Sequence, residues 1–437
     1  MPYAYPKDLA YSVHDWWDDA PLSVGPTPEA TFPAGPPPAL EVLEEVFSTC
    51  YQAGLMREEE RPVTFRLILC EPELFPAEGG PPTGLHRLEF TVPRPFEVQE
   101  LRRLSPATDY HRSLIGTRLG GGGGLEIWGI VQSGPGWVRT FQGGRDRHAP
   151  LPPVLVVHAS GPGLLGAYRG DFLVARLERG EISGSFMDVF ASSWLPESFK
   201  ERRAELAQLH EAARERADRR WAPLDPDLAR VLGQQIVRRL VSVMRSARHG
   251  GTVIFAPAAL TEELSAENRY VAIKYGFAEG EPRSRLRTLV VRAMNALAET
   301  HGRGTGEEPK AVGWAEYEKS SDEKIAQLDE AIFEVAHLIA ALSVVDGAVV
   351  ITKRFELLGF GAEISGKLPE VRAVARALDI EGKRVVQESA EGVGTRHRSV
   401  YRLCSELKEA VAVVISQDGG ARFVKWKDRA VTYWDQA

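Results

Sequence analysis

The sequence predicts an α/β protein: a mixed-sheet domain flanked by helices, preceded by a separate α+β domain. Three observations carry this. The chain has 437 residues, more than one ordinary core holds, so two domains are expected. Trp221-Ala-Pro-Leu-Asp-Pro-Asp227 breaks a charged helical run and sets a boundary, leaving residues 1–220 and 226–437 as the two domains. In the second of these, helical periodicities alternate with short β-branched runs, the pattern of helices packed on a sheet.

Composition narrows the class. An apolar share of 43% and a charged share of 26% are those of a soluble globular chain. The net charge is -7 with Lys and Arg scattered, so nucleic acid is not an expected partner. Cys50, Cys70 and Cys404 lack paired spacing, which argues against a disulfide framework or a structural zinc. The N-terminus lacks the basic-then-apolar order of a signal peptide. The longest apolar segment, Ile325 to Val345, is interrupted by Asp329, Glu330, Glu334 and His337, so no membrane span is expected. A cytoplasmic location is the expectation.

In chain order, residues 21 to 39 are rich in Pro and Gly and read as a wrapping loop. Leu40 to Tyr51 has helical spacing through Leu43, Val46 and Phe47. Pro62 to Leu69 and His86 to Val92 alternate like strands, the second with Leu88, Phe90 and Val92 on one face. Leu125 to Val131, Pro153 to Val157 and Phe172 to Val174 are further strands, with a turn at Gly161-Pro162-Gly163. Gly120 to Gly124 open no helix and carry no Lys-Ser/Thr, so they form a hairpin loop and not a phosphate loop. Ser198 to Arg220 is a charged helix expected to connect the domains.

The second domain opens with a helix, Leu228 to Arg245, ended by Gly250 and Gly251. Thr252 to Pro257 is a buried strand, followed by strand-like Tyr270 to Tyr275, helical Leu286 to Leu297 and a loop from Gly302 to Glu308. Ile325, Leu328, Ile332, Val335, Ile339 and Leu342 mark one face of a long helix. Strands follow at Gly347 to Thr352 and Leu357 to Phe360, then a helix from about Ser399 to Leu407. A strand Ala410 to Ser416, a turn at Gly419-Gly420 and a closing strand Phe423 to Trp426 complete the chain.

Two patterns carry chemistry. Asp346-Gly347-Ala348 lies where the long helix feeds a buried strand, and small residues there let backbone approach a ligand. Gly394-Thr395-Arg396-His397-Arg398-Ser399 is a turn entering a helix, whose free amide donors attract anions. Two arginines and a histidine add charge-assisted donors suited to a triphosphate. Taken singly, Asp-Gly is a turn signal, Arg-His-Arg a solvated triplet, and Thr395 or Ser399 a helix cap. The combination and its order point to function.

Asp346-Gly-Ala-Val-Val-Ile, Gly394-Thr-Arg-His-Arg-Ser and Val411 to Gly420 resemble the diadenylate cyclase (DAC) domain, and Leu228 to Arg245 with Gly251 to Phe255 are similar to its start. The likeness covers about half the chain. It implies condensation of two ATP into cyclic di-AMP and two pyrophosphates, in a homodimer formed through the DAC domain. By motif, the catalytic roles fall on Asp346, Arg396, His397 and Arg398, with Asp346 also the metal ligand. ATP contacts fall on Gly347, Ala348, Ile364, Gly394, Thr395, Ser399 and Ser416, and the implied cofactor is a divalent cation, Mg or Mn. Two positions depart from the family. Gln417 stands where many members carry an acidic residue, and Val345 where one branch has His. An amide is a weaker hard-cation ligand than a carboxylate, so the alternative is a degenerate module that binds ATP or cyclic di-AMP as a sensor. Ser365 to Glu391 is long and is expected to cover the site. Residues 1–220 resemble DACNV-type sensor-like domains at Tyr5-Pro6, Arg61-Pro-Val63, Leu104-Ser-Pro-Ala107, Gly124-Leu-Glu-Ile-Trp-Gly129 and Gly161-Pro-Gly163. That resemblance implies regulation by a ligand the sequence does not name. The same motifs, read alone, build turns and core.

Overall fold

The computed structural model describes residues 3–19, 35–80, 84–132, 145, 151–178, 180–184, 188–247, 249–265, 268–302, 310–417 and 420–436. Most of the Pro-rich loop, the 303–308 loop, Arg179, Asp418 and Gly419 lie outside them. The chain divides into two compact units, residues 1–139 with 146–186 and residues 140–145 with 187–436.

The first unit is a mixed eight-stranded sheet covered by helices. Helix α1 (Pro6–Trp16) starts at a proline, and the Tyr5 N–H donates to the Asp8 carboxylate at 2.8 Å, a reciprocal start signal. Helix α2 (Leu40–Gly54) buries Leu43, Val46, Phe47 and Cys50, the stripe its periodicity announced. Helix α3 spans Val98–Leu104. The strands are β1 (Phe65–Leu69), β2 (His86–Pro95), β3 (Ser113–Leu119), β4 (Leu125–Gln132), β5 (Leu155–Gly161), β6 (Leu164–Arg169), β7 (Phe172–Glu178) and β8 (Glu181–Gly184), ordered β8-β7-β6-β5-β1-β3-β4-β2. Only β1 and β3 pair in parallel, with Leu67 opposite Ile115. The five glycines turn the β3–β4 hairpin, where the Gly120 N–H donates to the Gly124 carbonyl at 2.8 Å. Leu88 and Val92 do not form a buried face: β2 is an edge strand and leaves them 49% and 67% exposed.

The second unit takes in residues 188–225, ahead of the boundary expected at residue 226. Val189, Phe190, Trp194, Leu195, Phe199 and Leu206 belong to the same core as the later helices. Helix α4 (Lys200–Glu215) therefore packs on this unit instead of connecting domains, burying Arg202, Leu206 and His210; its long charged side chains lay apolar stems on the core. The Pro-rich break is itself packed, since the Ala222 N–H donates to Ala298 and the Val312 N–H to Pro223.

Nine strands build the second sheet: β9 (Gly251–Ala256), β10 (Val271–Gly276), β11 (Ala348–Thr352), β12 (Leu357–Ile364), β13 (Ala373–Ala377), β14 (Val385–Ser389), β15 (Val411–Ile415), β16 (Ala421–Lys427) and β17 (Ala430–Gln436). Their order is β10-β12-β11-β9-β15-β16-β17-β13-β14. Helices α5 (Leu228–Ala247), α6 (Glu281–His301) and α7 (Glu323–Leu342) join a core with Val253, Phe255, Val349 and Ile351. The alternate residues Ile254, Val350, Ala412 and Val414 face the other side, where α8 (Thr395–Glu406) packs. This period of two explains why the central strands read as continuous apolar runs. The sequence reading placed no strand at β13, β14 or β17. The Ser365 to Glu391 segment contains the β13–β14 hairpin, which extends the sheet beyond β17.

Candidate active site

The strand register gathers most of the sequence-chosen residues at one sheet end. β9 runs parallel to β11, with Val253 opposite Val349, and antiparallel to β15, with Gly251 opposite Ile415. The amino ends of β9 and β11 and the carboxyl end of β15 therefore share an edge. On β12, Ala362 pairs with Ala348, so Ile364, two residues further, reaches that same edge. Ile415 lies two strands from Gly347, about 10 Å across the sheet.

Gly347 is required by geometry. Its φ is +111°, and an added Cβ would lie 2.7 Å from the Gly361 carbonyl carbon. The chain thus crosses β12 at van der Waals contact immediately after Asp346. Asp346 is exposed, and among the described residues its carboxylate has no hydrogen-bond or ion-pair partner. Ala348 is buried in the core and can offer a ligand only its backbone.

Helix α8 starts at Thr395, earlier than the Ser399 expected, with Gly394 in extended conformation at the cap and no side-chain cap. Thr395 and Ser399 therefore do not cap it, and the whole Thr395–Ser399 run occupies the first turns. Arg396 turns toward the sheet: its Nη1 is 2.6 Å from the position a Cβ on Gly250 would take, a point 3.3 Å from the Gln417 nitrogen. Gly250, at φ +65°, leaves that space. Arg398 points to solvent, and neither arginine has an ion-pair partner among the described residues. His397 lies 6.4 Å, ring to ring, from Tyr401. Free cations at a helix start form an anion-binding arrangement.

Two candidates have structural duties. The Ser416 N–H and hydroxyl both donate to the Gly420 carbonyl, at 2.9 and 3.1 Å, closing the β15–β16 turn. Ile364 is half-buried and packs against the core beneath α8. Among the described residues no three His, Cys, Asp or Glu side chains group as a metal site. Asp346 is a single hard oxygen donor, which fits a cation completed by phosphate oxygens and water. The sequence reading missed Gly250 and Gly251 as site builders; a Cβ on Gly251 would lie 2.7 Å from the Ser343 hydroxyl. The paired glycines ahead of a buried strand were the available signal.

The first unit carries a different feature that sequence reading also missed. Arg66, His158, Gly166 and Arg176 are successive cross-strand neighbours on one sheet face. The fully buried Arg66 donates to the Tyr110 carbonyl at 2.6 Å, and burial lowers its pKa to about 9. His158 stacks on Tyr168 at 4.0 Å between ring centroids. Burial, and secondarily Arg66, push its pKa well below the ordinary imidazole value. The Trp128-Gly129 motif is architectural: the Trp128 ring fills the space over Gly116, and its indole N–H donates to Cys70 at 2.8 Å.

A family model described as "Probable sensor domain DACNV" matches residues 33–132, from α2 through β4 of the first unit. No curated protein matches the chain. Among the described residues no helix is long and apolar enough to cross a membrane.

Proposed function

We propose that the second unit is a diadenylate cyclase regulated by the first. The observation that carries this reading is the pairing, at one sheet end, of an unpartnered carboxylate on a glycine-constrained loop with two unpartnered arginines at a helix start. The sensor-domain match supports it, because that sensor class accompanies diadenylate cyclases.

In the proposed reaction, the 3′-oxygen of one ATP attacks the α-phosphorus of the other, forming a P–O bond as pyrophosphate leaves and the hydroxyl proton is lost. Repetition closes the ring. Two equivalent bonds suit a two-fold dimer in which each copy presents one ATP. Arg396, Arg398 and the first amides of α8 hold phosphate oxygens and stabilise developing charge. His397 sits in the same turn as a further donor. Asp346 would hold Mg or Mn, which when bound neutralises charge on the phosphates. Positioning supplies much of the remaining rate.

A second reading, a module that binds ATP or cyclic di-AMP without turnover, is favoured by Gln417, an amide where many members of the family carry an acidic residue. Purified protein given ATP with Mg or Mn, analysed by mass spectrometry, separates the two. Cyclic di-AMP that is lost in Asp346→Asn supports the cyclase. ATP retention without product in either metal supports the binding module.

A further inference from the structure

A hollow of about 270 Å³ lies between α6, α7 and the β11–β12 turn. Its walls are almost wholly apolar: Leu286 from α6, Val335, Leu338 and Ile339 from α7, Ile351 near the end of β11, and Phe355 from the turn. Protein interiors are close-packed, and voids larger than a water molecule are few. Roughly 150 Å³ lined by such side chains is enough to bind benzene, so this hollow has room for a larger guest.

Phe355 reaches the wall from a strained backbone. Its φ is +59°, in the left-handed region that a bulky residue rarely occupies, and its ring is only 2% exposed. The Phe355 N–H donates to the Thr352 carbonyl at 2.9 Å, and the Thr352 N–H to the Glu356 carbonyl at 2.8 Å, which fixes the turn. From the side of α4, the Arg202 guanidinium backs the ring at 4.3 Å from its centroid. Strain of this kind persists where the surroundings hold it, and it gathers at ligand clamps.

At the mouth, Leu338 is 53% exposed. Every charge that lines the hollow is already answered: Arg285 meets Glu281 at 2.8 Å, and the buried Arg283 meets Glu356 at 2.9 Å. A charged guest would lose hydration there without gaining a counter-charge. An apolar guest gains by leaving water.

We propose that this hollow binds one small, neutral, mainly apolar molecule about the size of a bicyclic aromatic, held between α6, α7 and the Phe355 ring. The site is separate from the candidate nucleotide site, since Ile351 lies toward the carboxyl end of β11 and Asp346 precedes its amino end.

Indole is the probe. For a dissociation constant of about 1 mM, indole at about 5 mM is expected to raise the thermal midpoint of the second unit, in the full-length protein, by about 2–4 °C. Val335→Phe fills the hollow with a larger apolar side chain and is expected to lose that shift. No shift in the wild type, a shift kept in full by Val335→Phe, or an equal shift from indole carboxylate overturns the proposal. A midpoint that rises with protein concentration and ignores indole assigns the hollow to a second copy of the chain, and equally overturns it. Should Val335→Phe not fold, crystals soaked in bromoindole decide: an anomalous peak against Ile351 and Phe355 supports the site, and no peak there overturns it.

Discussion

Gly347→Ala tests the geometry on which the candidate site depends. The perturbation is one methyl group, and two costs add. The φ of +111° lies where an L-residue is rarely found, a strain of about 1–3 kcal/mol. The new Cβ would also lie 2.7 Å from the Gly361 carbonyl carbon and 2.9 Å from the Ala362 nitrogen and oxygen. These are backbone atoms of β12, held by pairing to both β11 and β10, so they cannot rotate away as a side chain would. The chain must instead shift at Gly347, carrying Asp346 with it. The strain alone, about 1–3 kcal/mol, corresponds to a midpoint drop of about 2–12 °C for a unit of this size, and the close contacts add to it. Circular dichroism melts of the purified protein measure it. Gly392→Ala is the control, because nothing lies within 4 Å of its Cβ position and a surface change there is expected to stay within about 0.5 kcal/mol. A Gly347→Ala protein that melts with wild type would refute the close crossing and the reason given for the glycine.

Three further outcomes follow from the same contacts. Arg396→Ala with Arg398→Ala removes charges without ion-pair partners, so the melting midpoint should hold while ATP retention in equilibrium dialysis falls at least tenfold. Asp329→Asn strips the carboxylate from the buried Arg239 guanidinium, bonded at 2.9 Å; urea titration should show a loss of about 3–5 kcal/mol. His158 has a folded pKa below its unfolded value, so below about pH 6.5 the unfolded chain binds the extra proton. Stability of the first unit is then present above that pH and falls by about 1.4 kcal/mol per unit as pH drops toward the folded pKa. His158→Phe keeps the ring on Tyr168 and should flatten that slope in melts taken between pH 7 and 5.

Legibility in the sequence followed the range of the forces. Helices with an apolar stripe, α2, α5 and α7, were readable because burial repeats every few residues. Asp346 and the Thr395–Ser399 run were readable as motifs because several residues act within one turn of chain. The strands β13, β14 and β17 were not. Exposed Val385 and Val386 and a buried Trp434 share no single alternation, and their pairing is fixed by long-range register. The domain boundary failed for a related reason: the charge of α4 suggested solvent on all sides, whereas the core partners of Trp194, Phe199 and Leu206 lie far along the chain. Arg396 beside Gly250 is likewise a contact between distant segments.

The position of the candidate site bears on which reading of it is right. In open sheets built from parallel strands, ligands gather outside the carboxyl ends; here the edge is made of amino ends of β9 and β11, so fold analogy alone would look at the wrong end. What singles out this edge is that helices meet it with opposite polarity, α5 and α7 by their carboxyl ends and α8 by its amino end. α7 ends at Leu342, four residues before Asp346, and offers the carbonyl end of its dipole; α8 begins at Thr395 and offers the amide end. Each end favours its counter-charge by about 0.3–1 kcal/mol, the first a cation beside Asp346, the second a phosphate beside Arg396. An exposed aspartate on a glycine-locked crossing, set at the cation-attracting end of the neighbouring helix, is placed to hold a cation that a bound triphosphate would share, and the Asp346→Asn product assay separates retention from transfer.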